Sequence, residues 1–226
     1  MVNMRIRLKS VIAVLAIMIG GLVVAGILTI ILRKSGYVDA KGFIPLFNMD
    51  REANVPAWYS STAILLCSLL LGIIAVHKRQ AKDAFSRHWL GLCLIFLYMS
   101  ADETAAFHER IAELGQLVIK HPGALKYAGL LPGLVLFLVV GLAYLSFLRS
   151  LAPRTRNLFI LAGVLFMTAV IVVEALSYGL LGSSRNVYMG TVIVEETMEM
   201  LGIAVFAYAL MDYLRGQVPA MTLEFE

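Results

Sequence analysis

The stretch VIAVLAIMIGGLVVAGILTIIL, from Val11 to Leu32, holds no charged side chain. As a helix it rises roughly 33 Å at ~1.5 Å per residue, enough to cross a ~30 Å hydrocarbon layer. It is too long for the apolar centre of a cleaved secretion signal, and no small-residue cleavage site follows it cleanly. The chain therefore opens with a predicted transmembrane helix.

Five further apolar runs follow, at about 57–76, 89–110, 128–148, 157–181 and 187–213. Clear breaks separate them: Arg33-Lys34-Ser35-Gly36, His77-Lys78-Arg79, His121-Pro122-Gly123, Pro153-Arg154 and Gly182-Ser183-Ser184-Arg185. Gly, Pro and charged clusters interrupt apolar helices in this way. The expected fold is all-α: one membrane domain over residues 1–226, a polytopic bundle of six transmembrane helices, with an outer loop at 33–56.

Composition agrees. Of 226 residues, 60% are hydrophobic and 15% charged, and mean hydropathy is +0.85. A soluble domain averages roughly 45–50% apolar and about 25% charged. These values exclude a disordered chain, a nucleic-acid-binding domain and an ordinary soluble enzyme. The expected surroundings are a lipid bilayer, with no nucleic-acid partner. The net charge of +4 reflects loop lysines and arginines. Eleven of them fall on the side holding both termini and the 77–88 and 149–156 loops, and seven on the other. By the positive-inside rule both termini are expected in the cytoplasm. Cys67 and Cys93 lie inside apolar runs, as small core residues do.

The chemistry lies in the acids. Of fifteen Asp and Glu residues, seven fall within predicted spans: Asp102, Glu103, Glu109, Glu174, Glu195, Glu196 and Glu199. Each costs roughly 2.5–3.5 kcal/mol at a helix centre on insertion scales, so they should face one another, a cation or a cavity. The topology puts all seven near the outer ends of the third, fifth and sixth spans. At about 100° per residue, Tyr98, Asp102, His108 and Glu109 share one arc of the third span. Tyr188, Thr191, Glu195 and Glu199 share a face of the sixth. Glu103 and Glu196 fall off these arcs, where pairing with Arg110 would satisfy them.

Carboxylates with one imidazole on facing helices make a hard, oxygen-rich cage for a divalent metal such as Fe, Mn or Zn. The expected ligands are Asp102, His108, Glu109, Glu174, Glu195 and Glu199. Around them Tyr98, Glu103, Arg110, Ser177, Tyr178, Tyr188, Thr191 and Glu196 would orient ligands or substrate. Asp50, Glu52 and Asn54 of the outer loop could cap the site from above, although Trp58 and Tyr59 nearby also suit a plain interfacial anchor. The pattern departs from ferritin-like sites, since no Glu-x-x-His occurs. The leading expectation is a metal-dependent membrane enzyme acting on a lipid or other hydrophobic substrate by hydrolysis or oxidation. Two others are a cation- or proton-coupled transporter using the same acids, and a non-catalytic subunit or assembly factor of a larger complex or oligomer. A transporter requires a polar path through the bundle, whereas an enzyme requires a blind pocket.

Three segments together carry a resemblance. They are Arg51-Glu52-Ala53-Asn54-x-Pro56-x-Trp58-x-Ser60-Ser61, Asp102-Glu103-x-x-x-x-His108-Glu109 and Glu195-x-x-x-Glu199. The chain resembles an uncharacterised group of bacterial multipass inner-membrane proteins. That resemblance implies a location and a common site for the three segments. It implies no activity.

Overall fold

The computed structural model describes residues 7–107, 110, 130–173, 176 and 185–217. Every regular element among them is helical: α1 (Leu8–Lys34), α2 (Phe43–Phe47), α3 (Val55–Gln80), α4 (Ser86–Ala105), α5 (Leu130–Ala143), α6 (Leu145–Ser150), α7 (Pro153–Met167) and α8 (Arg185–Gln217). The last turns after α7 widen into a π-helical segment, Thr168–Val173.

Among the described residues, three helices are long and apolar enough to cross a membrane: α1, α3, and α7 with its π-helical extension. These match the first, second and fifth predicted spans. Their outward faces are apolar too, with Ile17 73% and Leu69 60% exposed. Apolar surface of that kind fits contact with lipid rather than water. The third and sixth predicted spans are also long helices, α4 with 20 residues and α8 with 33. The acids that make them interesting lower their hydropathy.

The helix boundaries differ from expectation in two places. The third span was expected to run through Arg110, but α4 stops at Ala105. There Ala106 takes a left-handed backbone (φ 52°) and its N–H bonds Asp102 O at 2.8 Å. No glycine or proline marks that stop, so the sequence does not announce it. The fourth span is broken by a turn at Tyr144 between α5 and α6. The cause is visible in packing. The Tyr144 hydroxyl donates to His88 O at 3.1 Å, and Phe147 packs among Phe85, His88 and Trp89 with ring centroids 4.9–5.9 Å apart. Gly91 leaves the room that the Tyr144 ring needs.

The start of α3 follows sequence logic. Asn54 accepts the Ala57 N–H at 3.0 Å, with proline in the first turn, as an N-cap followed by proline predicts. At the far end Asp83 accepts the Phe85 N–H at 2.8 Å and pairs with Lys78 at 3.3 Å. Those two bonds, the backbone one first, hold the Asp83 carboxyl below its ordinary range. A lowered pKa means that the turn's contribution to stability is intact above that range. It is lost as pH falls through the lowered value.

Polar side chains fix the α3–α4 pairing. Ser61 Oγ donates to Ser100 O (2.7 Å), Ser100 Oγ to Ser61 O (2.9 Å) and Thr104 Oγ1 to Ser61 Oγ (2.8 Å). Two turns along, Ser68 Oγ donates to Cys93 O at 2.8 Å. The two contacts lie seven residues apart on both helices, so the register is antiparallel and unslipped. Helix α8 packs on α1, α3 and α7. Its contact with α4 is aromatic: Phe96 stacks on Phe206 at 4.6 Å and Trp89 meets Tyr213 at 4.9 Å.

Glycine allows the closest approach. A Cβ on Gly202 would stand 3.1 Å from Ala162 O and Phe166 N of α7. Both are backbone atoms with little freedom to yield. Gly202→Ala is expected to destabilise the bundle by about 1–3 kcal/mol through overpacking, read as a lowered unfolding midpoint of the detergent-solubilised protein. Gly163→Ala, where nothing lies within 4 Å, should be near neutral. Equal midpoints for the two variants would refute the close contact.

Candidate functional site

The inward stripe of α4 is Trp89, Cys93, Phe96, Ser100 and Glu103, with alternating spacings of four and three. Trp89 and Phe96 meet α8, while Cys93 and Ser100 meet α3. The last member, Glu103, therefore points between α3 and α8. The register set by the Trp89–Tyr213 and Phe96–Phe206 pairs brings Glu103 level with Glu199 and within about a turn of Glu196.

On α8 the inward stripe is Met189, Val192, Ile193, Glu196, Met200 and Ile203, and all but Glu196 are less than a tenth exposed. Glu196 lies deep among protein atoms but keeps some accessible surface. The carboxylates whose charges reach it are Glu103 first, then Glu195, Glu52 and Asp50. Glu103 and Glu196, which the wheel set aside as ion-paired residues, thus stand at the centre of the acidic cluster.

The outer loop joins this cluster. Tyr188 Oη donates to Asp50 Oδ1 at 2.8 Å, tying the loop to the first turns of α8. Below it, Met49 packs against Gly26 of α1, and Ile193 of α8 approaches the same glycine. Asp50 and Glu52 therefore sit over the acids of α8. Asn54 does not join them. Its amide donates to Asn48 O at 2.7 Å and Arg51 O at 2.6 Å while its oxygen caps α3. All of its polar atoms are committed to holding the loop on the helix.

The other expected site residues divide as follows. Tyr98 is 51% exposed and stacks on Phe107. Ala101 and Ala105 are exposed as well. The arc of α4 that carries them faces away from α3 and α8, and Asp102 stands partly buried at its edge. Arg110 is exposed. Thr191 Oγ1 donates to Tyr188 O of its own helix at 2.7 Å. Glu195 and Glu199 are partly buried beside Glu196. His108, Glu109, Glu174, Ser177 and Tyr178 lie outside the described residues. The π-helical turn Thr168–Val173 ends immediately before Glu174 in sequence and packs on α8. Such turns recur near functional sites.

Among the described residues, no group of three or more His, Cys, Asp or Glu side chains is gathered so as to hold a metal ion. The described acids interact through space without forming a ligand cage. Of the six expected ligands, only Asp102, Glu195 and Glu199 are described, and they do not form one. The rest of the inward stripe of α8 is apolar. Below Glu196 the stripe continues through Met200, Ile203, Phe206, Ala207 and Leu210, each less than a tenth exposed. Phe96 and Phe159 close on Phe206 from either side at 4.6 and 4.7 Å.

A family model described as Domain of unknown function (DUF8692) matches residues 11–213. The chain belongs to this family. Neither a curated protein nor a solved structure matches it. The matched region runs from the first apolar helix almost to the end of α8, so the loop, α4 and α8 contributions to the acidic cluster all fall inside one family domain.

The loop-to-helix bond gives a direct check. Tyr188→Phe removes one partly buried hydrogen bond to a carboxylate and is expected to cost about 1–2 kcal/mol. It should also speed proteolytic cutting within residues 36–54 relative to the rest of the chain. Unchanged cutting would show that the Tyr188–Asp50 contact does not hold the loop.

Proposed function

We propose that the chain is an integral membrane enzyme. Its carboxylate crevice, formed by Glu103, Glu195 and Glu196 beneath Asp50 and Glu52, acts on a lipid or other hydrophobic substrate. In this reading it crosses the bilayer six times, as α1, α3, α4, the region of α5 and α6, α7 with its π extension, and α8. Both termini face the cytoplasm of a bacterium, and the crevice opens toward the outer leaflet.

The observation that carries this reading is the apolar packing of the bundle below Glu196. A transporter needs polar groups continuing across the bundle. Below Glu196 the described stripe is aliphatic and aromatic down to Leu210, and Phe96, Phe159 and Phe206 pack across it. Carboxylates gathered above such a floor suit chemistry at one depth rather than passage through the membrane.

Acids this near one another in a low-dielectric setting take up a counter-charge, as a proton or a cation. In this reading Glu103 and Glu196 share a proton and exchange it with substrate, which is the role of general acid and base in hydrolysis. A divalent ion, Fe, Mn or Zn, would need more than the described residues provide. It would require His108, Glu109 and Glu174 to close on Glu195 and Glu199, and would supply Lewis acidity for hydrolysis or redox capacity for oxidation.

Two measurements test the reading. A membrane-soluble carbodiimide modifies protonated carboxyls that lipid-phase reagents can reach. In the full chain in membranes it should label Glu196 or Glu103, located by peptide mass spectrometry, and Glu196→Gln should abolish at least half of the label. Absence of label at both acids would sink the crevice. Elemental analysis of protein purified without added metal tests the second part. Stoichiometric metal that is lost in the Glu195→Ala/Glu199→Ala variant supports a metal enzyme. A metal-free wild type of equal stability removes the metal and leaves the acid–base reading.

A further inference from the structure

A group of arginines stands at the same end of the bundle, above the crevice. Helices α1 and α8 are antiparallel and touch where Ile193 approaches Gly26. Arg33 lies seven residues beyond Gly26 on the same face of α1. Arg185 lies eight residues before Ile193 on α8. Both therefore rise roughly 10–12 Å above that contact. Met49, packed on Gly26, brings Asp50 and Arg51 to the same level. The charges of Arg185, Arg51 and Asp50 all bear on Arg33.

The group has an excess of positive charge. Asp50 is the carboxylate whose charge bears on Arg33, with Glu52 two residues along the same loop, and one oxygen of Asp50 already accepts from Tyr188. None of the three arginines forms an ion pair with a described carboxylate. Arg33 Nε is shut away from water and has no hydrogen-bond acceptor. That N–H lacks an acceptor among the described residues, and the charges of Arg51 and Arg185, both exposed, bear on the same guanidinium, so an incoming anion would answer all three. Arg is well matched to phosphate because its planar fork donates two parallel hydrogen bonds.

We propose that Arg33, Arg51 and Arg185 form a binding site for the phosphate group of an anionic lipid. The assignment rests on the membrane reading above and narrows the substrate class to phosphate-bearing amphiphiles. Arg185 and Glu196 are eleven residues apart on one helix, about 16 Å along its axis. A phosphate seated on the arginines would leave the body of the lipid reaching down toward the carboxylates. The site works by charge and hydrogen bonding, so inorganic phosphate should compete for it, though without the added hold of the acyl chains.

Equilibrium binding to the full-length protein in a nonionic detergent tests this. The probes are dihexanoyl phosphatidic acid, dihexanoyl phosphatidylcholine and inorganic phosphate. Phosphatidic acid should bind at least tenfold tighter than phosphatidylcholine of the same chain length. Arg33→Gln and Arg185→Gln should each weaken phosphatidic acid binding about tenfold, the scale of one charge-assisted hydrogen bond. Arg33→Lys, which keeps the charge, should weaken it less, and Arg79→Gln at the opposite end should not change it. Inorganic phosphate binding as tightly as the lipid would overturn the lipid assignment in favour of the free ion. Phosphatidic acid binding no better than phosphatidylcholine, or arginine variants that match the wild type, would overturn the site. Carbodiimide labelling of Glu196 or Glu103 is read with no lipid probe added, so failure of the crevice and failure of the arginine site are separable.

Discussion

Carboxylates enclosed by apolar helices must be given a counter-charge, and the rest of this structure follows from how the bundle brings them together. Glu196 faces inward on a stripe otherwise built from methionine, valine and isoleucine. An isolated charge there would cost several kcal/mol. The charges of Glu103 from α4, of Glu195 beside it and of the loop acids Glu52 and Asp50 all bear on it. The arrangement concentrates negative charge in one crevice and leaves the floor beneath it to aromatic packing.

The precision of that arrangement comes from neutral groups. The Ser61–Ser100–Thr104 bonds and the Ser68–Cys93 bond set α3 against α4 without slip. Such hydrogen bonds between helices have few competitors in an apolar setting. The Trp89–Tyr213 and Phe96–Phe206 pairs then set α4 against α8. A shift of either helix by one residue would rotate Glu103 by about 100°, away from Glu196. The loop is fixed from both ends, by Asn54 capping α3 and by Tyr188 binding Asp50, so its acids cannot drift from the crevice. Above them the three arginines place positive charge at the same end of the bundle, and the site as a whole is polar in layers: basic at the rim, acidic beneath, apolar at the floor.

The faces of α4 and α8 differ from those that the helical wheel suggests. At about 100° per residue, Asp102 shares one arc of α4 with Tyr98, Ala101 and Ala105. Those positions except Asp102 are exposed, and the buried stripe ends in Glu103 instead. The signal was present as the four-three spacing of Trp89, Cys93, Phe96, Ser100 and Glu103, but periodicity does not distinguish an inward stripe from a lipid-facing one when both are apolar. For the same reason Glu196 was assigned to the margin of α8. Asn54 was grouped with Asp50 and Glu52 by proximity along the chain, although its side chain serves as a helix cap.

By itself the sequence determined the helical class and carries the Asn-x-Pro cap that starts α3. Those features depend on local composition and spacing, which a linear chain displays in full. Only the tertiary structure decided that α4 ends at Ala105, that the expected fourth span breaks at Tyr144, and that the charge of Glu103 bears on Glu196. Each of those outcomes depends on which helix lies alongside which and in what register. That information is held in contacts between residues distant in sequence, where aromatic fit and hydroxyl-to-carbonyl bonds outweigh the preferences of any single segment.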